Sequence, residues 1–228
     1  MYSKYEDVLR VNLVSYTQCP IEDDDKSIYD LIAYCARVSN PANQSNHDTA
    51  EKLIAYLIKH KHWSPFEQAN ICLEVVSTRD IVRQILRHRS FSFMEFSQRY
   101  ADPSTMGDSF VIRECRMQDN KNRQNSLECS DGPLAQDWAL VQDALINKSR
   151  SAYEWAIKNG IAKEVARSVL PEGNTVSRVY INGTIRSWLH FLDVRTGPET
   201  QKEHRLVAHA CAEAIAKIFP MIKEFCHE

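Results

Sequence analysis

The sequence predicts an α+β single domain, 1–228, in which a mixed or antiparallel sheet is flanked by helices. Three observations predict it. Strand-type segments are interspersed irregularly with longer helical ones, so no regular βαβ order appears. Of the 228 residues, 43% are hydrophobic, enough for one sizeable core. Only 116–133, with QDNKNRQNS and SDG, has the polar composition of a loop or an inserted excursion.

Each element follows from its local pattern. VLRVNLVSYT (8–17) alternates as a strand does. Residues 26–38 place Ile28, Leu31, Ile32 and Cys35 at helical spacing, and a second helix, 47–61, carries Leu53, Ile54, Leu57 and Ile58 on one face before Pro65 breaks the chain. NICLEVVS (70–77) is a strand, after which Ser77 or Thr78 caps a short helix to Arg87 with Ile81, Val82, Ile85 and Leu86 inward. DSFVIREC (108–115) reads as another strand. A long helix fits 134–159 with Gly160 as its C′ residue, and a shorter one, 161–170, stops before Pro171. NTVSRVYIN (174–182) is a strand, Thr184 caps a helix to Val194, and 200–219 forms a final amphipathic helix.

Composition narrows the function classes. The formal net charge is −2 and the pI about 6.5, which argues against a nucleic-acid binder held by bulk charge and makes any anion binding local. Seven cysteines lie at least fourteen residues apart, so no C-x-x-C or zinc knuckle can be drawn. An odd set of scattered thiols behind a charged N-terminus without an apolar h-region implies a reducing, cytoplasmic setting. No apolar run approaches the roughly 18 residues of a membrane span.

The chemistry concentrates in RHRSFSFMEFSQRY (87–100). Arg83 and Arg87, four apart, project from one face of the short helix. In the extended chain that follows, Phe91, Phe93 and Glu95 fall on one side and Ser90, Ser92, Met94 and Phe96 on the other. Glu95 alone cannot neutralise Arg87, Arg89 and Arg99, so the missing anion is read as a ligand, and guanidinium forks match phosphate oxygens. The plain alternative is a solvated face or pairing with acids elsewhere; the interleaved aromatics argue for a planar, phosphate-bearing ligand. Arg167, amid the apolar residues of EVARSVLP, and Arg195, after IRSWLHFLDV, each imply a carboxylate or a phosphate.

RHRSFSFMEFS fits R-H-R followed by seven residues and a serine, and HKHWSPFEQ lies upstream of it, His62 standing 25 residues before Arg87. With VARSVLP and RSWLHFLDVRT, these motifs resemble the flavin-dependent thymidylate synthases over roughly 28–219. The resemblance implies their fold and their reaction: reductive methylation of dUMP to dTMP, with methylenetetrahydrofolate as carbon donor and NADPH as reductant through bound FAD. It also implies a homotetramer with active sites at subunit contacts, and small-molecule partners rather than nucleic acid or membrane. Only six glycines occur, none as G-x-G-x-x-G, so a Rossmann cradle is excluded and arginines must hold the flavin pyrophosphate.

Carried over by position, the resemblance assigns Ser64, Arg87, His88, Arg89, Glu95, Thr184, Arg186 and His190 to FAD, with Glu67 nearby. It assigns Gln84, Arg87, Glu95, Ser97, Gln98, Arg99, Arg167 and Arg195 to dUMP. Arg195 is the expected catalytic residue, since a cation beside the uracil favours ionisation of its ring nitrogen and makes carbon 5 more nucleophilic. His62 is a folate or proton contact. Ser97 ranks as a substrate contact, because Glu95, two residues away, is the sole nearby base the sequence offers. Met94 departs from the asparagine usual before that glutamate, which removes a side-chain amide there.

Other signals are set aside. His47–Asp48 resembles the metal pair of HD phosphohydrolases but reads as a helix cap, and His204 and His209 fall on different faces of the last helix, so no metal is expected. A rival class is a single-stranded nucleic-acid module stacking bases on Phe91 and Phe93; a further one is a silent relative that binds nucleotide only.

Overall fold

The computed structural model describes residues 2–19, 27–107 and 109–227. Its elements run β1 (Ser3–Lys4), α1 (Tyr5–Val8), β2 (Arg10–Tyr16), α2 (Ile28–Ala36), α3 (Ala50–Lys59), β3 (Asn70–Thr78), α4 (Arg79–Ile85), β4 (Ser92–Glu95), β5 (Val111–Ile112), β6 (Arg116–Gln118), β7 (Ser126–Glu128), α5 (Gly132–Lys158), α6 (Lys163–Ala166), β8 (Val176–Thr184), α7 (Ile185–Arg195) and α8 (Lys202–Ala216). The central sheet has the order β2–β3–β8–β4 with every pair antiparallel, and β1 and β5 add a short parallel pair. The expected α+β class, with a mixed or antiparallel sheet between helices, is what the chain adopts. The expected starts at Lys26 and Asp108 lie outside the described residues.

Period-two alternation decides which face of the sheet is covered. Ile71, Leu73 and Val75 of β3 and Val179 and Ile181 of β8 point to one side, where Ile32, Ile54, Trp188, Phe191, Val207 and Ile215 from α2, α3, α7 and α8 bury them. Each such side chain contributes about 1.5–3 kcal/mol on leaving water. The other face is polar: Tyr180 Oη and Asn12 Nδ2 both donate to the Glu74 carboxylate, at 2.9 and 3.2 Å. Met94 is exposed on that face, paired in register with Tyr180.

Phe91 precedes β4 directly opposite Gly183 of β8, and its ring occupies the space a side chain there would need. A Cβ on residue 183 would meet the ring at 2.3 Å. Phe91 is accordingly only 7% exposed and packs on Trp188 with ring centroids 4.6 Å apart. The ring is core, which corrects its reading as a ligand platform and takes away one of the two rings on which the nucleic-acid reading stacked bases; Phe93 is half-buried against the same core.

Element ends follow local chemistry. Thr184 Oγ1 accepts from Ser187 N at 3.2 Å to cap α7, and Gly160 sits past α5 at φ +76°, the left-handed C′ that glycine tolerates. α5 starts two residues earlier than its pattern suggests because Asp131 caps the backbone N–H of Leu134 at 3.0 Å. The polar stretch 116–133 is not a plain loop: β6 and β7 form a hairpin, closed where Asp119 Oδ1 accepts from the backbone of Lys121 and Asn122 at 2.7 and 3.2 Å. The strand expected over 108–115 shrinks to Val111–Ile112, and the helix over 161–170 splits into α6 and a 3₁₀ turn, Arg167–Val169. His47 Nδ1 lies 3.1 Å from Asp30 Oδ1 and ties α3 to the first turn of α2, a structural role. No described helix is long and apolar enough to cross a membrane.

Candidate active site

α4 drives Ile81, Val82 and Ile85 into the core and buries Arg79 with them, while Arg83 faces outward. Past its C-terminus the chain turns tightly, with His88 N donating to Ile85 O at 3.0 Å and Phe91 N to His88 O at 3.2 Å. The turn throws Arg87 and Arg89 outward and tucks His88 beneath them. There His88 meets the end of α7. Arg195 Nε donates to His88 Nε2 at 2.8 Å, which requires an unprotonated nitrogen. Burial, then the charges of Arg195 and His190, push the His88 pKa down to about 4, so the ring is neutral near pH 7. The ring of Phe191 backs it edge-on, with centroids 5.1 Å apart.

Arg195 is therefore aimed by a neutral acceptor that leaves its charge uncompensated. Burial and the nearby Arg87 both work against that charge. Its place at the C-terminus of α7 offsets part of the cost, since the helix dipole favours a cation there. Among the described residues, Arg87, Arg89 and Arg195 have no carboxylate within ion-pair distance. A cluster of guanidiniums with no internal counter-ion fits a phosphorylated ligand.

Arg79 at the start of α4 and Arg83 one turn later are the reverse. Glu95 accepts from Arg79 Nη1 at 3.1 Å, Arg83 Nη1 at 3.3 Å and Ser177 Oγ at 3.0 Å. Arg79 is 6% exposed and also approaches Glu172 at 3.7 Å. Glu95 is thus largely occupied and is a poor base for Ser97. Beside this cluster, Arg79, Arg83, Gln98, Arg167, Ser168 and Glu172 border a cleft of about 360 Å³. Gln98 is 3% exposed and its Nε2 is buried without a hydrogen-bond partner among the described residues. Such an orphan donor costs about 1–3 kcal/mol unless a ligand satisfies it. Ser97 lies in the adjoining groove with Arg99, whose Nη2 makes an exposed 3.2 Å pair with Glu164.

The residues expected to hold the flavin divide along α7. Thr184 and Arg186 stand at its start, where Arg186 Nη1 pairs with Glu67 Oε1 at 2.6 Å and Thr184 Oγ1 reaches Glu67 Oε2 at 3.4 Å. Glu67 belongs to the 3₁₀ turn Ser64–Gln68, so Ser64 is nearby in the chain. Nine residues separate Arg186 from Arg195, about 14 Å of helix; exposed His190 lies between, its ring centroid 6.4 Å from that of His88. One chain therefore does not bring all the expected residues into a single pocket. His62 is exposed beside Tyr56 and His60, with ring centroids at 6.2 and 6.1 Å, and meets none of the other expected residues.

Sequence reasoning missed Arg79, Gln201, Glu203 and His204. Gln84 donates to Gln201 Oε1 at 2.8 Å and its own Oε1 lies 3.2 Å from His204 Nδ1, so both ends of its amide are engaged from α8 and the residue before it. A signal existed: Glu203 and His204 share the buried stripe of Val207, Ala208 and Cys211, and a charged or polar residue in an apolar stripe needs a partner.

The family described as thymidylate synthase complementing protein matches residues 12–221. A flavin-dependent thymidylate synthase of Synechocystis sp. is 46% identical over 214 residues, covering 93% of this chain and 96% of the relative. A relative described as a probable flavin-dependent thymidylate synthase, from Paramecium bursaria Chlorella virus 1, is 45% identical over 214 residues, covering 94% and 97%. The crystal structure of a UMP/dUMP methylase, PolB from Streptomyces cacaoi bound with 5-Br dUMP, superposes with a TM-score of 0.79 at 28% identity, covering 95% of this chain and 93% of that one.

Proposed function

The chain belongs to the flavin-dependent thymidylate synthase family, and on that premise we propose that the two ends of α4 divide the enzyme's ligands between them. The enzyme methylates dUMP reductively to dTMP, with methylenetetrahydrofolate and NADPH as co-substrates and FAD as cofactor. The observation that carries the division is that Arg87, Arg89 and Arg195 lack internal carboxylate partners among the described residues, whereas Arg79 and Arg83 have Glu95.

Arg87, His88 and Arg89 hold the flavin phosphates, with Ser64, Thr184, Arg186 and His190 along the remainder of the cofactor. Arg186 must share or leave Glu67 to do so, a small cost because exposed ion pairs contribute about 0–1 kcal/mol. The flavin, when bound, carries reducing equivalents from NADPH to the transferred carbon. The dUMP phosphate fits the cleft of Gln98 and Arg167, with Ser97 and Arg99 in the next groove, and the base lies toward Gln84, Arg87 and Arg195. Glu95 braces the cleft through Arg79 and Arg83 and touches nucleotide through whatever lone-pair capacity remains.

Arg195 acts on the pyrimidine. Its Nε is committed to His88, so its Nη groups are the ones free to face the uracil carbonyl that gains charge as the ring nitrogen ionises. Neutral His88 orients the guanidinium without cancelling its charge. Ser97 is a contact, not a nucleophile, because Glu95 is held by three donors.

The spacing of the two sets supports a homotetramer in which neighbouring copies complete each site. A second feature supports it: Leu134, Trp138, Val141 and Leu145 form an exposed apolar stripe at i, i+4, i+7 and i+11 along α5, a face a solitary chain rarely leaves to water. The test is direct. Purified protein takes up FAD with visible absorbance and oxidises NADPH only when dUMP and methylenetetrahydrofolate are both present; colourless protein in excess FAD, or oxidation indifferent to dUMP, refutes the reading.

A further inference from the structure

Glu203 is 3% exposed near the start of α8, and its carboxylate is gripped by both terminal nitrogens of Arg116, at 2.7 and 2.9 Å, with Arg113 Nη1 at 3.3 Å. Burial opposes its charge, but Arg116, Arg113 and Gln201 override it and hold its pKa down at about 2. An ionised carboxylate can only accept hydrogen bonds. Gln201 must therefore present Nε2 to it, and does so at 2.9 Å. That turns Gln201 Oε1 toward Gln84, which must donate from Nε2, at 2.8 Å. Gln84 Oε1 is left facing His204 Nδ1 at 3.2 Å, so Nδ1 carries the imidazole proton and Nε2 is a bare lone pair. That Nε2 is buried, and no described residue satisfies it.

One carboxylate thus sets the donor and acceptor sense of three further side chains. Neither amide can reverse without setting like against like in a partly buried place. His204 is 0% exposed, and its ring lies against Phe191 with centroids 5.8 Å apart; the same Phe191 ring backs His88 at 5.1 Å. The chain of amides and the Arg195–His88 pair therefore share one aromatic wall.

We propose that the Glu203–Gln201–Gln84–His204 chain fixes the direction in which Gln84 meets the nucleotide, and that His204 is a positioning residue for dUMP. Two internal bonds leave the Gln84 amide one N–H and one lone pair, whose places a reversed amide would exchange. The proposal rests on the reading that Gln84 touches dUMP. His204 itself does not touch the nucleotide; it selects which of two otherwise equivalent amide orientations the nucleotide finds.

The experiment compares Gln84→Ala, His204→Leu, the double variant and His204→Asn in the FAD-loaded enzyme, reading dUMP Kd by equilibrium titration together with KM and kcat. Gln84→Ala and His204→Leu each raise the Kd about tenfold, with kcat at saturating dUMP within about threefold of the parent. The double variant is no worse than Gln84→Ala alone. His204→Asn, whose amide N–H stands in for Nδ1–H, returns to within about threefold. An unchanged Kd in Gln84→Ala overturns the placement of Gln84 in the nucleotide site. A weakened Gln84→Ala beside an unaffected His204→Leu, or an additive double variant, overturns the chain instead. Should the leucine variant fail to fold, ¹⁵N spectra of the histidine-labelled parent decide: His204 protonated on Nδ1 and bare on Nε2 is expected, and the opposite tautomer refutes the chain.

Discussion

The two ends of α4 carry the same side chain in opposite circumstances. At its start Arg79, and one turn later Arg83, converge on Glu95 and approach Glu172, so positive charge is matched within the fold. Past its C-terminal end, Arg87 and Arg89, joined by Arg195 from α7, have no carboxylate partner among the described residues, and Arg195 meets Arg87 and a neutral imidazole. Arg83 of the structural cluster and Arg87 of the binding one stand four residues apart, about one helical turn. Guanidinium count therefore says little about function; the whereabouts of the carboxylates says most.

The largest expected break in this contrast is at Arg195. Arg195→Ala lowers kcat about 10³-fold with an unchanged melting temperature, because a donor aimed at developing charge is lost from a site that gives the fold no ion pair. Ser97→Ala, measured in the same assay, keeps measurable turnover; an inert serine variant with intact dUMP binding would restore a nucleophilic role.

Next comes a paired exchange between the ends. Arg79→Ala strips a buried partner from Glu95 and lowers unfolding free energy by about 3 kcal/mol in urea melts. Arg89→Ala shifts stability by less than about 0.5 kcal/mol yet weakens FAD binding about tenfold in flavin titrations. Equal stability losses at both positions would erase the distinction.

The smallest effect is on acid stability. In the folded chain His88 and His204 have pKa values near 4 and 3, below the ordinary 6.5, with burial the first cause in each. The unfolded chain binds those protons first, so their neutral burial costs nothing above about pH 6.5 and progressively more as pH falls through 4 and 3. Glu203 acts in the same direction lower down: its stabilisation is complete above about 4.5 and lost toward 2. Melting temperatures measured from pH 7 to 4 should fall, and His204→Asn should flatten the upper part of that slope. A flat profile in the parent would mean both rings titrate normally.

The sequence was legible where the physics is local. Thr184 and Gly160 mark helix ends with their own side chain or lack of one, β8 shows its buried face by alternation, and the arginine surplus near residue 87 is visible in fourteen letters. What could not be read depends on partners far along the chain. Ser177 and Glu95 are 82 residues apart, Arg116 and Glu203 are 87, and nothing in either segment points to the other. The phenylalanines misled for the same reason: Phe91 looks like a ring awaiting a ligand until Gly183 is set against it. His204 was weighed only as a metal ligand beside His209, and its actual partner Gln84 lies 120 residues away.

The ring of Phe91 resting over Gly183 also constrains how relatives of this chain can diverge. Alanine at 183 alone would push a Cβ into the ring that helps seat the turn carrying Arg87, His88 and Arg89. The two positions are therefore expected to change together: a bulkier 183 needs a smaller 91, and a chain that keeps the phenylalanine has reason to keep the glycine.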